Sequence, residues 1–227
     1  MTKKLRTKSI HHQKDHTLYL WDLTGTLFPE QWSSTRTGFA SYGDWLQNRL
    51  GKKFKDISNR EFEEGYKIPY TQGWYFNLKI APYFKQVLSW TKHNETFSTS
   101  NIAQMNWRAK YLNPQVSFDI RKYFQKFNST FDYGRTNKKT PAMLVDYLKH
   151  KYFEGYKTVV YADDSQKNLE FFQQAGQIVR KQYSDFHWRL YHILNNRTRL
   201  KKKKRYFSVG NLLDLLRNEK IFRKKNN

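Results

Sequence analysis

Apolar positions along the chain alternate between two patterns, and the changes between them lay out strands followed by helices. Thr17 to Trp21 is an unbroken run of β-branched, aromatic and apolar residues that stops at Asp22, which predicts a short buried strand. Phe39, Tyr42, Trp45, Leu46 and Leu50 then recur at helical spacing with Gly51 as the stop, and Asp56–Tyr66 predicts a second helix entered at Ser58 or Asn59. Nothing in 30–75 alternates as a strand would, so this segment is expected to be all helical. Pro82 opens a helix to His93 with Phe84, Val87, Leu88 and Thr91 on one face. A strand at Thr96–Ser100 leads into a helix at Asn101–Tyr111, and a further helix is expected at Pro114–Phe127, with a short strand at Phe131–Gly134. Pro141 starts a helix that buries Met143, Leu144, Tyr147 and Leu148. Lys157–Ala162 predicts a second buried strand, ending in Asp163-Asp164, followed by a helix that stops at Gly176 and a short strand at Gln177–Gln182. Phe186, Leu190, Ile193 and Leu194 then sit at helical spacing, and Ser208 is expected to cap a terminal helix with Leu212, Leu213, Leu215, Leu216 and Phe222 on one face.

This alternation argues for an α/β protein with a Rossmann-like doubly wound parallel sheet. The expected division is a tail at 1–16, a core at 17–29 and 76–183, a helical cap inserted at 30–75, and a helical extension at 184–227. With 227 residues there is room for such a core plus an insertion.

Composition narrows the chemistry. There is no cysteine, which excludes disulfides, zinc–thiolate sites and thiolate nucleophiles. No apolar run approaches the roughly 20 residues of a membrane span, and the first 16 residues lack the apolar stretch of a secretory signal, so the expected location is cytoplasmic. The formal net charge is +23. More than half of it lies at the two ends: residues 1–16 carry five Lys/Arg against Asp15, and residues 197–227 carry twelve against Asp214 and Glu219. Such tails suit RNA or DNA, or remain solvated.

Polar groups fall at the predicted strand ends. Asp22 closes the first strand, with Thr24, Gly25 and Thr26 in the turn that leaves it. Ser98, Thr99, Ser100 and Asn101 close the next; Lys138 and Lys139 precede the helix at Pro141; Asp163 and Asp164 close the strand at 157–162, with Asn168 one turn further on. A helix cap is the plain alternative for the hydroxyls and for Asp22. Taken together, however, they supply a nucleophile, hydroxyls for oxygen, a neutralising lysine and hard oxygen ligands suited to Mg²⁺.

In order and type these segments resemble the motifs of the haloacid dehalogenase (HAD) superfamily. D-L-T-G-T-L at 22–27 is similar to its first motif, S-T-S-N at 98–101 to its second, K-K-T-P at 138–141 to its third, and A-D-D-S-Q-K-N at 162–168 to its fourth. The resemblance covers about residues 17–182. It implies a Mg²⁺-dependent hydrolase or phosphotransferase, most simply a phosphatase. Asp22 would be the nucleophile, and Ser100 the phosphoryl-binding hydroxyl, with Ser98 and Thr99 as register alternatives. The motif favours Lys138 as its lysine, with Lys139 as the alternative, and the metal would lie among Asp22, the Thr24 carbonyl, Asp163, Asp164 and Asn168. Gly25, Thr26, Ser98, Thr99 and Asn101 would surround the phosphate of a phosphorylated substrate. One position departs from the pattern: Thr24 stands where family phosphatases carry an acid/base aspartate, which implies slow turnover unless the nearest carboxylate, Glu30, substitutes. The competing expectations are a weakly active or non-catalytic nucleic-acid-binding protein and a nucleic-acid end-phosphatase held by the basic tails. Carbon–halogen cleavage fits poorly with the acidic pair.

Overall fold

The computed structural model describes residues 16–29, 31–76, 78–134, 136, 138–194 and 206–226. The basic stretches 1–15 and 195–205, and Glu30, lie outside the described residues. In chain order the elements are β1 (Thr17–Trp21), β2 (Gln31–Trp32), α1 (Ser34–Thr37), α2 (Tyr42–Leu50), α3 (Asn59–Thr71), β3 (Tyr75–Phe76), α4 (Phe84–Thr91), β4 (Asn94–Ser98), α5 (Ile102–Val116), β5 (Lys126–Ser129), α6 (Pro141–Phe153), β6 (Thr158–Asp163), α7 (Gln166–Gln182), β7 (His187–Ile193), β8 (Phe207–Val209) and α8 (Leu212–Asn226), with short 3₁₀ turns at Phe54–Asp56 and Ile120–Tyr123.

Six strands form one sheet in the order β5-β4-β1-β6-β7-β8, and every pair is parallel. This is the 3-2-1-4-5-6 order of Rossmann-type sheets, with its switch point between β1 and β6. Both faces are covered, as a parallel sheet requires. Tyr19, Trp21, Val160, Ala162, Tyr191 and Ile193 face α4, α5 and α8, whereas Leu18, Leu20, Val159, Tyr161 and Leu190 face α6 and α7. The alternation along each strand follows from the two-residue period of extended chain.

Four helix starts are fixed by local chemistry. Ser41 caps α2 through the Asp44 amide, Ser58 and Glu61 form a full capping box on α3, Asn101 caps α5, and Thr140 caps α6 with Pro141 at its first turn. The cap is pinned at its stem by the antiparallel pair β2–β3, so 30–75 is not all helical. Its hydrophobic core of Tyr42, Trp45, Phe62 and Tyr66 with the aliphatic Leu46 and Ile57 closes onto Ala103 of α5.

Several expected elements differ. α3 runs past the expected end at Tyr66 to Thr71, and Gly65 lies inside it, where a Cβ would come within 2.6 Å of the Tyr42 hydroxyl, so glycine admits α2. Gly176 likewise lies inside α7, pressed under the Trp188 ring, and Gln177–Gln182 is helix rather than strand. The helix expected at Pro114–Phe127 is instead the end of α5, a 3₁₀ turn and β5, so the strand lies at 126–129 rather than 131–134. Within 186–194, residues His187–Ile193 form β7, the fifth strand of the sheet. Their spacing fits a helix, but Trp188 and Leu190 on one face with Tyr191 and Ile193 on the other fit a strand too, and pairing with β6 decides. The segment read as a helical extension thus adds β7 and β8 to the sheet. Ser208 lies in β8, and the Asn211 side chain accepts from the amides of Leu213 and Asp214 at the start of α8. α8 docks on the core through Leu212, Leu215 and Leu216, and its fully buried Glu219 accepts from Tyr19, Arg189 and Tyr191. Arg223 stacks over Trp90 at 4.1 Å, so part of the C-terminal charge serves this packing. No helix among the described residues is long and apolar enough to cross a membrane.

Candidate active site

Strand register brings the first two carboxylates together. Trp21 pairs with Ala162, and the Asp22 amide donates to the Ala162 carbonyl at 2.9 Å, so Asp22 and Asp163 leave the sheet side by side at its switch point. Asp22, Asp163 and Asp164 each offer an oxygen, all within 4.8 Å of one another.

A single lysine lies between two of them. Lys139 Nζ donates to Asp22 Oδ1 at 2.6 Å, to Asp163 Oδ2 at 2.7 Å and to the Tyr161 hydroxyl at 2.7 Å, which uses all three ammonium protons. Its side chain is fully buried. Burial works against its charge, but Asp163 and Asp22 outweigh that and hold its pKa above the ordinary lysine value. Burial likewise pushes the Asp22 carboxyl up to about 6; Lys139 opposes this, Asp163 adds to it, and the Ser98 hydroxyl bonded to Asp22 lowers it again.

Asp163 is the more firmly held of the acidic pair. It accepts from Lys139, from Tyr161, from the Ser165 amide at 2.8 Å, and from the Asn168 amide group at 3.2 and 3.1 Å on its two oxygens. Asn168 therefore ties down the loop that carries the pair. Asp164 lies against the turn after β1, and His192 Nε2 of β7 meets its backbone carbonyl at 2.9 Å. Gly25 has φ +82°, and a Cβ there would stand 2.2 Å from Asp164 Oδ2, so both the backbone and the close approach require glycine. The turn closes on itself through Gly25 N to Phe28 O at 2.8 Å, which engages the Gly25 amide, while Thr26 is fully enclosed.

The hydroxyl cluster divides. Ser98 is buried against Asp22 and accepts from the Ser100 amide at 3.2 Å. Ser100 shares a hydrogen bond of 3.2 Å with Thr24. Thr99 lines the cleft beside it, and Asn101 caps α5. The structure places Lys139 at the carboxylates, whereas Lys138 lies on the cleft wall.

Two residues were not singled out from the sequence. Tyr161 bridges Lys139 and Asp163; it precedes the acidic pair by two residues and reads there as core. Arg108 is wholly buried on α5, donates to the Thr24 hydroxyl, and lies over the Phe28 ring at 5.2 Å. The only signal for it was a guanidinium interrupting the stripe Met105, Ala109, Leu112. The Thr24 hydroxyl thus accepts from a permanent cation.

Above these groups lies a cleft of about 470 Å³ between cap and core. Thr24, Thr99, Ser100, Gln104 and Lys138 form its core side, and the cap side is mostly aromatic.

No family model matches the chain, and no curated protein matches it. Among solved structures the chain is similar to a wild-type HAD family enzyme from Bacteroides thetaiotaomicron in complex with magnesium and inorganic phosphate (14% identity, 80% of this chain and 96% of that chain, TM-score 0.49). It is similar as well to a predicted HAD-like family hydrolase from Porphyromonas gingivalis (14% identity, 77% and 90% covered, TM-score 0.46). The magnesium and phosphate belong to that enzyme; for this chain the resemblance to the HAD superfamily rests on its own motifs and on the strand order that carries them.

Proposed function

We propose that this protein is a Mg²⁺-dependent phosphohydrolase or phosphotransferase that takes a phosphoryl group onto Asp22. One observation carries the reading: three carboxylates gather at the switch point of the sheet, two of them bonded to one lysine. Carboxylates at such close range repel one another, which a bound cation would relieve. The donor set is all oxygen, which suits Mg²⁺, and Asp22 and Asp164, with the Thr24 carbonyl, would hold it. When bound, the ion would neutralise charge on a phosphoryl oxygen.

The remaining chemistry belongs to the chain. Lys139 keeps Asp22 ionised and oriented despite its burial, leaving a carboxylate oxygen for attack on phosphorus. Ser98 and Ser100 offer hydroxyls at the end of β4 for the transferring oxygens. Asp163 and Asn168 hold the lysine and the loop. At Thr24 neither the hydroxyl nor Arg108 behind it can cycle a proton near neutral pH, so this position supplies no acid or base and the acyl-phosphate is released slowly.

Phosphate release measured over a panel of phosphoesters and acyl phosphates, with Mg²⁺ and with EDTA, tests the reading. Mg²⁺-stimulated release that disappears in Asp22→Asn is expected. No Mg²⁺-stimulated release from any donor would remove it.

A further inference from the structure

Phosphoryl chemistry at Asp22 does not call for the aromatic wall above it. Trp32, Tyr42, Phe54, Phe62, Tyr66 and Phe131 all line the cleft that holds Thr24 and Ser100. They come from β2, α2, the turn at 54–56, α3 and the loop after β5, so elements far apart in the chain bring rings to one space. The rings brace one another: Tyr42 stacks on Tyr66 at 4.3 Å, and Phe131 stands edge-on to Phe62 at 4.5 Å and 5.0 Å from Phe54. Much of the polar lining is engaged with itself. Ser41 donates to Asp44 at 2.7 Å, and Tyr66 donates to Gln104 at 3.1 Å. The buried Tyr42, Phe62 and Tyr66 back the wall, and the half-buried Trp32, Phe54 and Phe131 leave ring surface against which a flat apolar ring can pack.

A second observation concerns the leaving oxygen. The position that usually protonates it is Thr24, backed by the Arg108 guanidinium. An alkoxide leaves poorly without a proton. A phenolate, whose conjugate acid has a pKa near 10, leaves as the anion far more readily.

We propose that the substrate of this site is an aryl phosphomonoester, a phosphate on a phenolic oxygen, with its ring in the cap cleft. This rests on the aspartyl-phosphate reading above. Asp22 bonds to phosphorus as the phosphorus–aryl oxygen bond breaks; the electron pair goes to the phenolate, which takes its proton from solvent. Water then adds to phosphorus, gives its proton to solvent, and phosphate departs with the Asp22 carboxylate restored. With no acid/base group at position 24 the second step lags, so phenol release shows a burst.

The test compares, with Mg²⁺ present, phenyl phosphate, free phosphotyrosine and a phosphotyrosine peptide with glycerol phosphate, glucose phosphate and adenosine monophosphate. The nucleotide carries a ring but an alkoxide leaving group. Acetyl phosphate serves as a ringless donor that needs no acid. Expected are a kcat/KM for the aryl esters about 10²-fold or more above the alkyl esters, and a burst approaching one phenol per protein. Phe131→Leu and Trp32→Leu should each lower the ratio of aryl ester to acetyl phosphate kcat/KM by about tenfold, chiefly through KM. Turnover of the peptide would assign the ring to a protein side chain, and turnover of the small esters alone to a free aryl phosphate. Alkyl esters matching aryl ones, or a ratio unmoved in both variants, would overturn the substrate class while acetyl phosphate still labelled Asp22. No labelling of Asp22 by any donor would overturn the reading beneath it.

Discussion

Two buried charge clusters flank this sheet and differ in one respect. At the start of β4, Glu95 accepts from Lys151 at 2.7 Å, from Tyr147 at 2.8 Å and from Asn128 at 2.9 Å, so one buried carboxylate meets one buried cation and two neutral donors. Lys151 turns its other contact to Glu154 at the surface. At the carboxyl ends of β1 and β6, the buried Asp22 and Asp163 share Lys139, and the half-buried Asp164 brings a third carboxylate oxygen within 4.8 Å of theirs. The first cluster holds one buried carboxylate and sits away from the cleft. The second gathers three carboxylates, and it lies where open α/β sheets bind ligands. Buried charge is therefore not by itself a functional signal here; carboxylates gathered at the ligand-binding edge are.

The sharpest break between the two comes from the carboxylates. Asp22→Asn should reduce Mg²⁺-dependent phosphate release by at least about 10³-fold, whereas Glu95→Gln should change stability and leave release within a few-fold. Equal losses of activity would erase the distinction. Removing the cations comes next. Lys139→Met and Lys151→Met each leave a buried carboxylate uncompensated and should cost about 3–5 kcal/mol in chemical denaturation. Only Lys139→Met should regain stability when Mg²⁺ is added. Its loss should also shrink as pH falls. Asp22 in the folded protein already stands near 6 with Lys139 lowering it, above the unfolded value near 3.9. The native state therefore binds the proton more tightly, and stability drops as pH rises through the folded value.

A smaller effect probes the departure at position 24. Thr24→Asp should raise steady-state phosphate release by tenfold or more, since a positioned acid/base group contributes about 10²–10⁴-fold. Adding Arg108→Gln should raise it further, because a guanidinium beside the new carboxylate lowers its proton affinity. The smallest effect is local. Gly25→Ala places a methyl against Asp164 at a positive φ, costing about 1 kcal/mol or more and weakening Mg²⁺ binding measured by calorimetry, with the Glu95 cluster untouched.

The three central strands and the acidic groups at their ends could be read from the sequence because they are local. A buried strand that ends in Asp22, and another that ends in Asp163-Asp164, declare themselves within six residues, and the parallel register then brings them together. Choosing between Lys138 and Lys139 needed the structure, since one residue of register decides which side chain reaches inward. β7 was hidden because its apolar residues satisfy both a 3.6 and a 2.0 period, and only the β6 edge selects between them. Arg108 was hidden for another reason. Its place in the buried stripe of α5 marks it as unusual, but its partner lies 84 positions away, so the helix does not say which site it serves. The aromatic residues of 30–75 were legible as a core, but their second use, as the wall of a cleft, depends on Phe131 and the core residues they meet.

The central claim is that the carboxylate cluster accepts a phosphoryl group on Asp22 with the help of Mg²⁺. The most direct measurement is ¹⁹F NMR of the protein with beryllium fluoride, comparing wild type with Asp22→Asn in Mg²⁺ and in EDTA. The account predicts bound-fluoride resonances for wild type in Mg²⁺ alone. Resonances that persist in Asp22→Asn, or none in wild type with Mg²⁺, would contradict it.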